Sequence, residues 1–303
     1  MIKFLEFYTK AFGFWVILFA ILAYFFPQWF IPLRPGMDWF FALTMFGMGV
    51  VLEPKDFKKT LNSPLLLLLG TVAQYTIMPI LGFSLAKLFR LSSELALGVI
   101  LTGCAPGAMS SNVISYLAKA DVAYSVCLTT LSTLISPIAT PGLTYLLARF
   151  ILKIDFWKMF FNILWMVVIP IFVGLGVKNI FREKIQPFIK IFPAFSVTFI
   201  VFICSLVVAL NQKYLILLTP IIVLVVILHN LLGYLLGYGV GNLFKLNLSR
   251  KRTLSIEIGM QNAGLGVVLA LKHFGERSAI PAGVFVILSV FTASLLASYW
   301  QRK

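Results

Sequence analysis

Charged residues are scarce in this chain of 303 residues: Asp, Glu, Lys and Arg together make up 12%, whereas hydrophobic residues make up 60%. The mean hydropathy of +0.99 is far above that of a soluble globular domain, so we expect a protein integral to a bilayer. Only three cysteines occur, Cys104, Cys127 and Cys204, and each is isolated in an apolar segment. Their isolation argues against a disulfide framework and against a cysteine-based metal cluster.

Acidic residues are the rarer charged class, with ten Asp and Glu against 25 Lys and Arg, and the formal net charge is +15. The basic residues lie in short clusters between apolar runs rather than on one amphipathic face, which argues against nucleic acid as a partner. If the N-terminus is cytoplasmic, 16 of the 25 fall on the cytoplasmic side. The positive-inside rule therefore predicts a multi-pass protein of the inner (plasma) membrane with both termini cytoplasmic. No protein partner is indicated.

Ten apolar runs have roughly the length of a membrane-spanning helix, about 20 residues. They define predicted spans 1 to 10, near residues 12–30, 38–52, 64–86, 95–117, 122–147, 157–177, 191–210, 215–240, 253–272 and 280–300. The second and fourth runs are the least regular. The predicted fold class is therefore all-α integral membrane, with ten transmembrane helices.

Predicted spans 4 and 9 share an internal pattern. The fourth reads GVILTGCAPGAMSSNVISYLAKAD and the ninth LSIEIGMQNAGLGVVLALKHFGE, each with an apolar half, a polar break containing glycine, a second short half and a charged loop. A shift of 155 residues places Gln74 on His229, Gly107 on Asn262 and Asp121 on Glu276. Because the two spans are five apart, an odd number, such a repeat would be inverted in the membrane.

The two breaks are predicted to be polar sites. Pro106 lacks an N–H, and Gly107 and Gly264 weaken a helix, so each break frees backbone groups where an unsatisfied one costs several kcal/mol. Each second half-helix also directs its first N–H groups into the break, which favours an anion there. A simple kink is the alternative for either break alone, whereas two breaks at matching positions favour a binding site.

One acidic residue, Glu257, is predicted to lie inside an apolar span, whereas the other nine fall in loops or at helix ends. An ionisable group within the bilayer is costly and is functional by default. An ionised carboxylate there needs a cation, and no Lys or Arg lies in the central part of another span. Oxygen ligands would suit a bound Na⁺. The alternative is a protonated glutamate in a helix contact, or one near the boundary, since Arg252 lies five residues away.

Four segments together carry a family resemblance. They read LTMFGMGVVLEPKDF, GTVAQYTIMPILGF, GVILTGCAPGAMSSNVISYLAKADVAYSVCLTTLSTLISPIATP and LSIEIGMQNAGLGVVLALKHF, and they closely resemble the bile acid:sodium symporter family, in particular its bacterial members. The resemblance implies a sodium-coupled symporter of organic anions rather than an enzyme. It also implies two inverted five-helix repeats, with broken helices 4 and 9 crossing in a core domain. The panel domain would comprise residues 1–62 and 155–212 (helices 1, 2, 6 and 7), and the core residues 63–154 and 213–303 (helices 3–5 and 8–10).

The resemblance further implies two Na⁺ sites and a substrate site. The first sodium site would be formed by Ser111, Asn112, Ser125, Thr129 and Glu257, and the second by Gln74, Glu257, Gln261 and the carbonyls of Ile258 and Met260. Independently, Ser125 and Thr129 are four residues apart and share a helix face, although such a pair alone is more often a packing contact. The substrate would face Asn262 and the amides around Ala108, Met109 and Ser110. His229 is interpreted as a packing residue rather than a ligand.

The substrate itself stays open. Several family members carry Trp-His-Asn in the last span, where this chain has Leu288, Ser289 and Val290, and Met109 stands where a hydroxyl residue is frequent. A bile-acid-like molecule and a small carboxylate such as pantoate are both compatible with this pattern. Two other classes compete. One is a proton-coupled or efflux carrier of the same superfamily, such as an arsenite exporter, with Cys104 at the break in its favour. The other is an intramembrane hydrolase, against which the absence of paired aspartates within spans argues.

Overall fold

The computed structural model describes residues 8–9, 11–52, 64–185 and 191–302. Within these residues every regular element is a helix, and one isolated antiparallel bridge joins Gly107 to Gln261. The helices are α1 (Phe12–Phe25), α2 (Met37–Val51), α3 (Pro64–Leu88), α4 (Ser93–Cys104), α5 (Ser110–Leu117), α6 (Val122–Ala148), α7 (Phe156–Ile163), α8 (Ile169–Phe181), α9 (Phe192–Leu243), α10 (Leu248–Gly259), α11 (Ala263–His273) and α12 (Ile280–Gln301). A π-helical turn, Leu164–Val168, joins α7 to α8.

Four helices begin at a side-chain cap. Asp121 accepts the N–H of Tyr124 at the start of α6, and Asp155 accepts that of Lys158 at the start of α7. Asn247 and Asn262 do the same for α10 and α11. An oxygen in this position satisfies one of the backbone donors that the first turn of a helix leaves unpaired. The polar residues between the apolar runs therefore fix where these helices start.

The all-helical, membrane-integral prediction is confirmed at the level of its class. Among the described residues, six helices are long and apolar enough to cross a membrane, or seven if one bent pair is counted. That pair is Gly13–Phe25 and Pro27–Val51, with a bend of 107° between them. Predicted span 1 therefore ends at Phe25 rather than at residue 30. Predicted spans 7 and 8 both lie within α9, whose 52 residues contain the apolar segments Phe192–Lys213 and Pro220–Leu243.

Predicted spans 4 and 9 are each divided into two short helices. The helix stops at Cys104 and restarts at Ser110 in the first case, and it stops at Gly259 and restarts at Ala263 in the second. The pieces have 12 and 8 residues in the first span and 12 and 11 in the second, so neither span contains one helix of crossing length. A test of single helices by length and hydropathy therefore overlooks both, although the sequence runs 95–117 and 253–272 are each long enough to cross.

Large apolar side chains cover the outside of the molecule. Leu65, Phe150, Ile180 and Leu243 are each more than three quarters exposed, at 79%, 83%, 76% and 77%. An apolar surface of this extent is unfavourable in water and favourable against lipid. The buried interior, in contrast, holds many hydroxyl and amide side chains, most of them on α6, α9 and α10. The protein is thus a multi-pass membrane protein whose apolar interior also contains many polar side chains.

Glycines allow α2 and α8 to pack backbone against backbone. A methyl group on Gly49 would overlap the carbonyl oxygen of Ile171, and one on Gly174 would overlap that of Phe46. Small residues at such contacts are how helices approach closely in a membrane, where burial of apolar surface gives little drive for association. The glycine at 176 is also in α8, but nothing lies within 4 Å of its added methyl position.

We expect Gly174→Ala to destabilise the protein and the matched variant Gly176→Ala to leave it unchanged or slightly more stable. Overpacking a rigid contact costs about 1–3 kcal/mol, whereas alanine at an open helical position gains up to about 1 kcal/mol over glycine. Thermal unfolding in detergent, followed by tryptophan fluorescence, measures both. Equal melting temperatures for the two variants would show that α2 and α8 do not pack as described.

Contacts between the helix ends form two separate groups. On what we call the Glu276 side, Glu276 pairs with Arg34 at 3.1 Å, Lys272 pairs with Asp38, and Arg277 pairs with Glu94 at 3.4 Å. On what we call the Asp121 side, Asp121 pairs with Arg250 at 3.3 Å, Lys119 donates to the Gln301 carbonyl, and Lys178 donates to that of Leu52. Ion pairs and loop contacts at both ends of the bundle are expected where helices leave the apolar layer.

Candidate functional site

The two breaks meet and hydrogen-bond to each other. The N–H of Ala108 donates to the Met260 carbonyl at 3.0 Å, and the N–H of Asn262 donates to the Pro106 carbonyl at 2.8 Å. These two bonds form the antiparallel bridge between Gly107 and Gln261. Backbone groups freed by each interruption are therefore partly satisfied by the other, as burial away from water requires. The helices around the breaks bring four helix ends to one point in the interior.

Glu257 lies two residues before the end of α10, beside this meeting point, and its side chain is 97% buried, with only 3% exposed. Among the described residues no Lys, Arg or His forms a salt bridge with it. Arg252 points elsewhere, donating to the Ala118 carbonyl at 3.0 Å and lying over the Trp300 ring. A buried ionised carboxylate without a partner is unfavourable, so the position is suited to a bound cation.

Hydroxyl and amide oxygens surround the Glu257 carboxylate. The hydroxyls of Ser111 and Ser125 both donate to Oε1, and Thr129 Oγ1 lies 3.1 Å from Oε1 and 2.9 Å from Oε2. Asn112 Oδ1 lies 2.9 Å from Ser125 Oγ and 3.4 Å from Thr129 Oγ1. The structure thus brings together all five side chains that the family resemblance implied for one sodium site. We call them the hydroxyl cluster: Ser111, Asn112, Ser125, Thr129 and Glu257.

The hydroxyl cluster has fewer hydroxyl hydrogens than oxygen lone pairs that could accept them. Thr129 carries one hydroxyl hydrogen, yet its Oγ1 is within bonding distance of both Glu257 oxygens, the Ser125 carbonyl and the Asn112 amide oxygen. A hydroxyl can donate only once, so most of these acceptor lone pairs lack a hydrogen. A hard cation that binds oxygen satisfies several such lone pairs at once. Among the described residues no group of three or more His, Cys, Asp or Glu could hold a metal ion instead.

The residues predicted for a second sodium site also lie together. Gln74 Nε2 donates to Gln261 Oε1 at 2.9 Å, and Gln261 Nε2 donates to the Ile258 carbonyl at 3.0 Å. The Met260 carbonyl accepts the Ala108 N–H across the bridge. Gln74 Oε1 is buried without a hydrogen-bond partner. Beside it is a narrow space, too small for a water molecule, which we call the α3 cavity; it is lined by Gly70, Thr71, Gln74, Leu128, Ser132 and Glu257.

The predicted substrate residues lie at the two breaks, and three of the four are half-buried. Asn262 is half-buried, and its Oδ1 accepts the N–H of Leu265 at 3.1 Å as the cap of α11, which leaves its Nδ2 donors for a ligand. Ala108 is buried, whereas Met109 and Ser110 are half-buried. At Gly264, the first turn of α11 approaches the rings of Phe41 on α2 and Phe199 on α9. Asn262 therefore lies where α11 meets two helices from elsewhere in the chain.

Several residues of the site were not predicted. Ser132 and Thr71 line the α3 cavity, and Ser115 Oγ lies 3.2 Å from Ser125 Oγ. Helical spacing could have indicated two of them, because Ser132 is three residues after Thr129 and Thr71 three before Gln74. His229 Nε2 lies 2.9 Å from the Met78 carbonyl, an interhelical contact, whereas its buried Nδ1 has no partner.

A larger cavity of about 440 Å³ lies near the start of α4, between the end of α3 and the segment after α6. None of the predicted site residues lines it, and the side chains around it include Lys87, Arg90 and Phe150.

Comparison with known proteins agrees with the geometry. Residues 39–218 match the family described as the sodium bile acid symporter family. The chain is 42% identical over 301 residues to the uncharacterized sodium-dependent transporter YocS of Bacillus subtilis (strain 168), covering 99% of this chain and 94% of that protein. It is 33% identical over 299 residues to the probable sodium/metabolite cotransporter BASS1, chloroplastic, of Arabidopsis thaliana, covering 97% of this chain and 74% of that protein. A probable sodium/metabolite cotransporter BASS2, chloroplastic, of Oryza sativa subsp. japonica is also 33% identical, over 99% of this chain and 72% of that protein.

Proposed function

Because the chain belongs to the sodium bile acid symporter family, a family of sodium-dependent transporters and not of enzymes, we propose that it imports a small organic anion together with Na⁺. The single observation that carries this proposal is the hydroxyl cluster. A carboxylate that is 97% buried, here Glu257, has four oxygen-bearing neighbours and no basic partner among the described residues. Sodium bound there would neutralise the carboxylate and satisfy the surplus lone pairs.

We propose two sodium sites that share Glu257. The first is the hydroxyl cluster, and the second lies towards Gln74 and Gln261, with the carbonyls of Ile258 and Met260 nearby. Glu257 bonds to the hydroxyl of Thr129 within the hydroxyl cluster and also lines the α3 cavity. This position supports one carboxylate binding both ions. The first cation would lower the cost of keeping that carboxylate charged in the interior, and the second would bind to the charge so maintained. Sodium binding at the two sites is then cooperative.

The energetics of this stoichiometry suit uptake against a gradient. Two Na⁺ and one monovalent anion move one net positive charge inward, which is worth about 2.3 kcal/mol at 100 mV. A tenfold sodium gradient adds about 1.4 kcal/mol for each ion. The total of about 5 kcal/mol supports more than a thousandfold accumulation of substrate.

We propose ten membrane crossings in two inverted five-helix repeats. Contacts along the chain support this number, because they alternate between the Glu276 side and the Asp121 side at or near each predicted loop that the structure describes. Contacts on the Glu276 side involve residues 24–38, Glu94, Asn162, residues 211–212 and residues 271–277. Those on the Asp121 side involve Leu52, residues 118–121, Lys178, residues 249–252 and Gln301. The excess of basic residues on the Asp121 side supports its being cytoplasmic, in the plasma membrane.

Alternating access follows from movement of a core (residues 63–154 and 213–303) against a panel (residues 1–62 and 155–212). On the Glu276 side, Arg34 and Asp38 of the panel pair with Glu276 and Lys272 of the core. Among the described residues, the polar contacts given above for the Asp121 side stay within one group, as between Lys178 and the Leu52 carbonyl. This asymmetry supports a conformation that is closed on the Glu276 side, and transport requires those ion pairs to open.

The proposed substrate is an organic anion that contacts Asn262 and the first turn of α5. The Nδ2 group of Asn262 is a donor, and the N-terminus of α5 at Ala108, Met109 and Ser110 carries the positive end of a helix dipole. Ser289, in the stretch that departs from the Trp-His-Asn pattern, bonds within α12 through its hydroxyl to the Val286 carbonyl. A bile-acid-like molecule and a small carboxylate such as pantoate are therefore both to be tested.

Uptake into proteoliposomes tests the proposal. With radiolabelled bile acid or pantoate as substrate, an inward sodium gradient should drive accumulation that choline or a proton gradient alone does not support. We expect Thr129→Val to raise the sodium concentration for half-maximal uptake about tenfold, the equivalent of 1.4 kcal/mol. Its neighbour Thr130 donates to the Val126 carbonyl, away from Glu257, so Thr130→Val is the matched control and should resemble the wild type.

Accumulation driven by protons without sodium, or sodium-independent efflux, would favour the proton-coupled or arsenite-exporter class instead. An equal effect of Thr129→Val and Thr130→Val on the sodium dependence would contradict the role assigned to the hydroxyl cluster.

A further inference from the structure

Thr71, on α3, is a buried threonine whose hydroxyl has no hydrogen-bond partner. Its side chain is 7% exposed, and its Oγ1 is among the buried polar atoms left unpaired. A hydroxyl in a membrane helix ordinarily donates to the carbonyl three or four residues earlier. The other buried threonines that the structure describes all make at least one hydrogen bond; they are Thr44, Thr102, Thr129, Thr130, Thr133, Thr140, Thr144 and Thr253. Thr71 is the exception.

A second unpaired oxygen lies one helical turn further along α3. The amide of Gln74 has a fixed orientation, because the Ile258 carbonyl can only accept and therefore orients the Gln261 amide to donate to it. Gln261 Oε1 then faces Gln74 and accepts from Gln74 Nε2. This chain of bonds leaves Gln74 Oε1 without a donor, in a side chain that is only 4% exposed.

Both oxygens line the α3 cavity with the Glu257 carboxylate. Ser132 is also at its wall, and its Oγ already donates to the Thr129 carbonyl and accepts the Gly107 N–H. A methyl group on Gly107 would come within 2.9 Å of Glu257 Oε2, so the absence of a side chain there leaves room beside that oxygen. Two orphaned neutral oxygens and a carboxylate around one space form a donor set for a hard monovalent cation. Leaving either oxygen unsatisfied in the interior is unfavourable.

We propose that Thr71 is a ligand of the second sodium ion, which binds in the α3 cavity between Thr71 Oγ1, Gln74 Oε1 and Glu257. This inference rests on the proposed function and adds a residue to its second site. It adds a ligand from α3 to the set already proposed, because the Ile258 and Met260 carbonyls and Gln261 Oε1 each keep a second lone pair beyond the hydrogen bond described above. Since α3 and α10 both contribute ligands, occupation of the cavity links α3 to the break in predicted span 9.

Sodium-dependent thermal stabilisation of the purified full-length protein tests this inference without relying on transport. Melting temperatures are measured over a titration of NaCl against choline chloride at constant ionic strength. We expect Thr71→Val to raise the sodium concentration for half-maximal stabilisation about tenfold and to lower the Hill coefficient towards one. Thr71→Ser keeps the hydroxyl and should stay within about threefold of the wild type. In sodium-free buffer Thr71→Val should melt at or above the wild-type temperature, because it removes an unpaired buried hydroxyl.

Thr144→Val is the matched control, since Thr144 is as deeply buried but bonds to the Thr140 carbonyl. An unchanged sodium titration in Thr71→Val, with Glu257→Gln losing its sodium response, would overturn the role of Thr71 and leave the proposed function intact. A wild-type protein that sodium does not stabilise would instead contradict the proposed function itself. A similar weakening in Thr71→Val and Thr71→Ser would assign the effect to packing and also overturn the inference.

Discussion

Replacing Glu257 with glutamine should abolish sodium-driven uptake, by at least about a hundredfold in rate, while the protein remains folded in the membrane. The change keeps the shape of the side chain and removes only its charge. Without that charge, only the dipoles of the Ser111, Ser125 and Thr129 hydroxyls remain to attract a cation. Both proposed sodium sites also lose their shared carboxylate. Glu257→Ala should have the same functional effect and also leave a cavity.

Stability separates loss of binding from loss of folding in these variants. Sodium at a hundred times its Kd stabilises a single site by about 2.7 kcal/mol, so the wild type should melt several degrees higher in NaCl than in choline chloride. In Glu257→Gln this difference should vanish. In sodium-free buffer the variant should be as stable as the wild type or more so, because a buried charge that lacks a protein partner has been removed.

Glu94→Gln is the matched control for this experiment. Glu94 lies in the first turn of α4 and pairs with Arg277 on the Glu276 side, where its side chain is 40% exposed. An exposed ion pair of this kind contributes little to stability, so uptake and sodium stabilisation should both resemble those of the wild type. Sodium stabilisation that persisted in Glu257→Gln would remove the basis of the proposed function, whatever happened to uptake.

The importance of Glu257 could be predicted from the sequence because its evidence is compositional. It is the one acidic residue within a predicted span, and its cost in the bilayer does not depend on details of packing. Ser125 and Thr129 were likewise expected on one face of a helix because they are four residues apart. The remaining members of the hydroxyl cluster came from the family resemblance, since nothing in the local sequence indicates that Ser111 and Asn112 approach Glu257 across 145 residues.

Hydropathy predicted the class of the fold better than its helices. The break after Phe25 and the 107° bend beyond it fall within one continuous apolar run, FFPQWFIPL, so average hydropathy cannot detect them. The opposite holds for α10, whose first turns contain Arg250, Lys251 and Arg252, so the apolar run indicated a start only at residue 253 whereas the helix begins at Leu248. Neighbouring residues provide partners for these basic side chains: Asp121 pairs with Arg250, and the Ala118 carbonyl accepts a hydrogen bond from Arg252.

Features that depend on contacts between distant segments could not be predicted from the local sequence. The orphaned oxygens of Thr71 and Gln74 become apparent only when every neighbouring donor has been located. The crossing of the breaks was implied only by the family resemblance, because the pairing of Gly107 with Gln261 depends on two segments 154 residues apart and on how four helix ends converge. The cap at Asn262 is different, because asparagine before an apolar helical segment is a helix-start signal that local sequence can give, although no cap was predicted there.

Asn262→Asp should abolish anion uptake and leave sodium binding largely intact. Aspartate caps a helix as well as asparagine does, so the bond to the Leu265 N–H should persist and α11 should begin at the same residue. The variant loses the Nδ2 donors and places a negative charge where the substrate anion is proposed to bind. Desolvated like charges repel strongly, and we expect the substrate KM to rise at least about a hundredfold, the equivalent of 2.7 kcal/mol.

Asn247→Asp provides a matched change at another helix cap. Asn247 Oδ1 accepts the Arg250 N–H at the start of α10 on the Asp121 side, far along that helix from Glu257. Aspartate can cap the helix at either position, but only residue 262 lies at the break. Asn247→Asp should therefore leave uptake kinetics unchanged. Asn262→Ala, which removes the cap as well as the donors, should also harm substrate binding more than sodium binding.

The Asn262 variants are informative because they should affect substrate binding and sodium binding differently. If Asn262 contacts substrate, sodium should still raise the melting temperature of Asn262→Asp by nearly the wild-type amount, whereas substrate added with sodium should give no further shift. Because the Asn262 N–H also bonds to the Pro106 carbonyl, a variant that merely disrupted the crossing would weaken both responses together. Uptake kinetics unchanged in Asn262→Asp would exclude this residue from the substrate site and shift attention to the half-buried side chains of Met109 and Ser110.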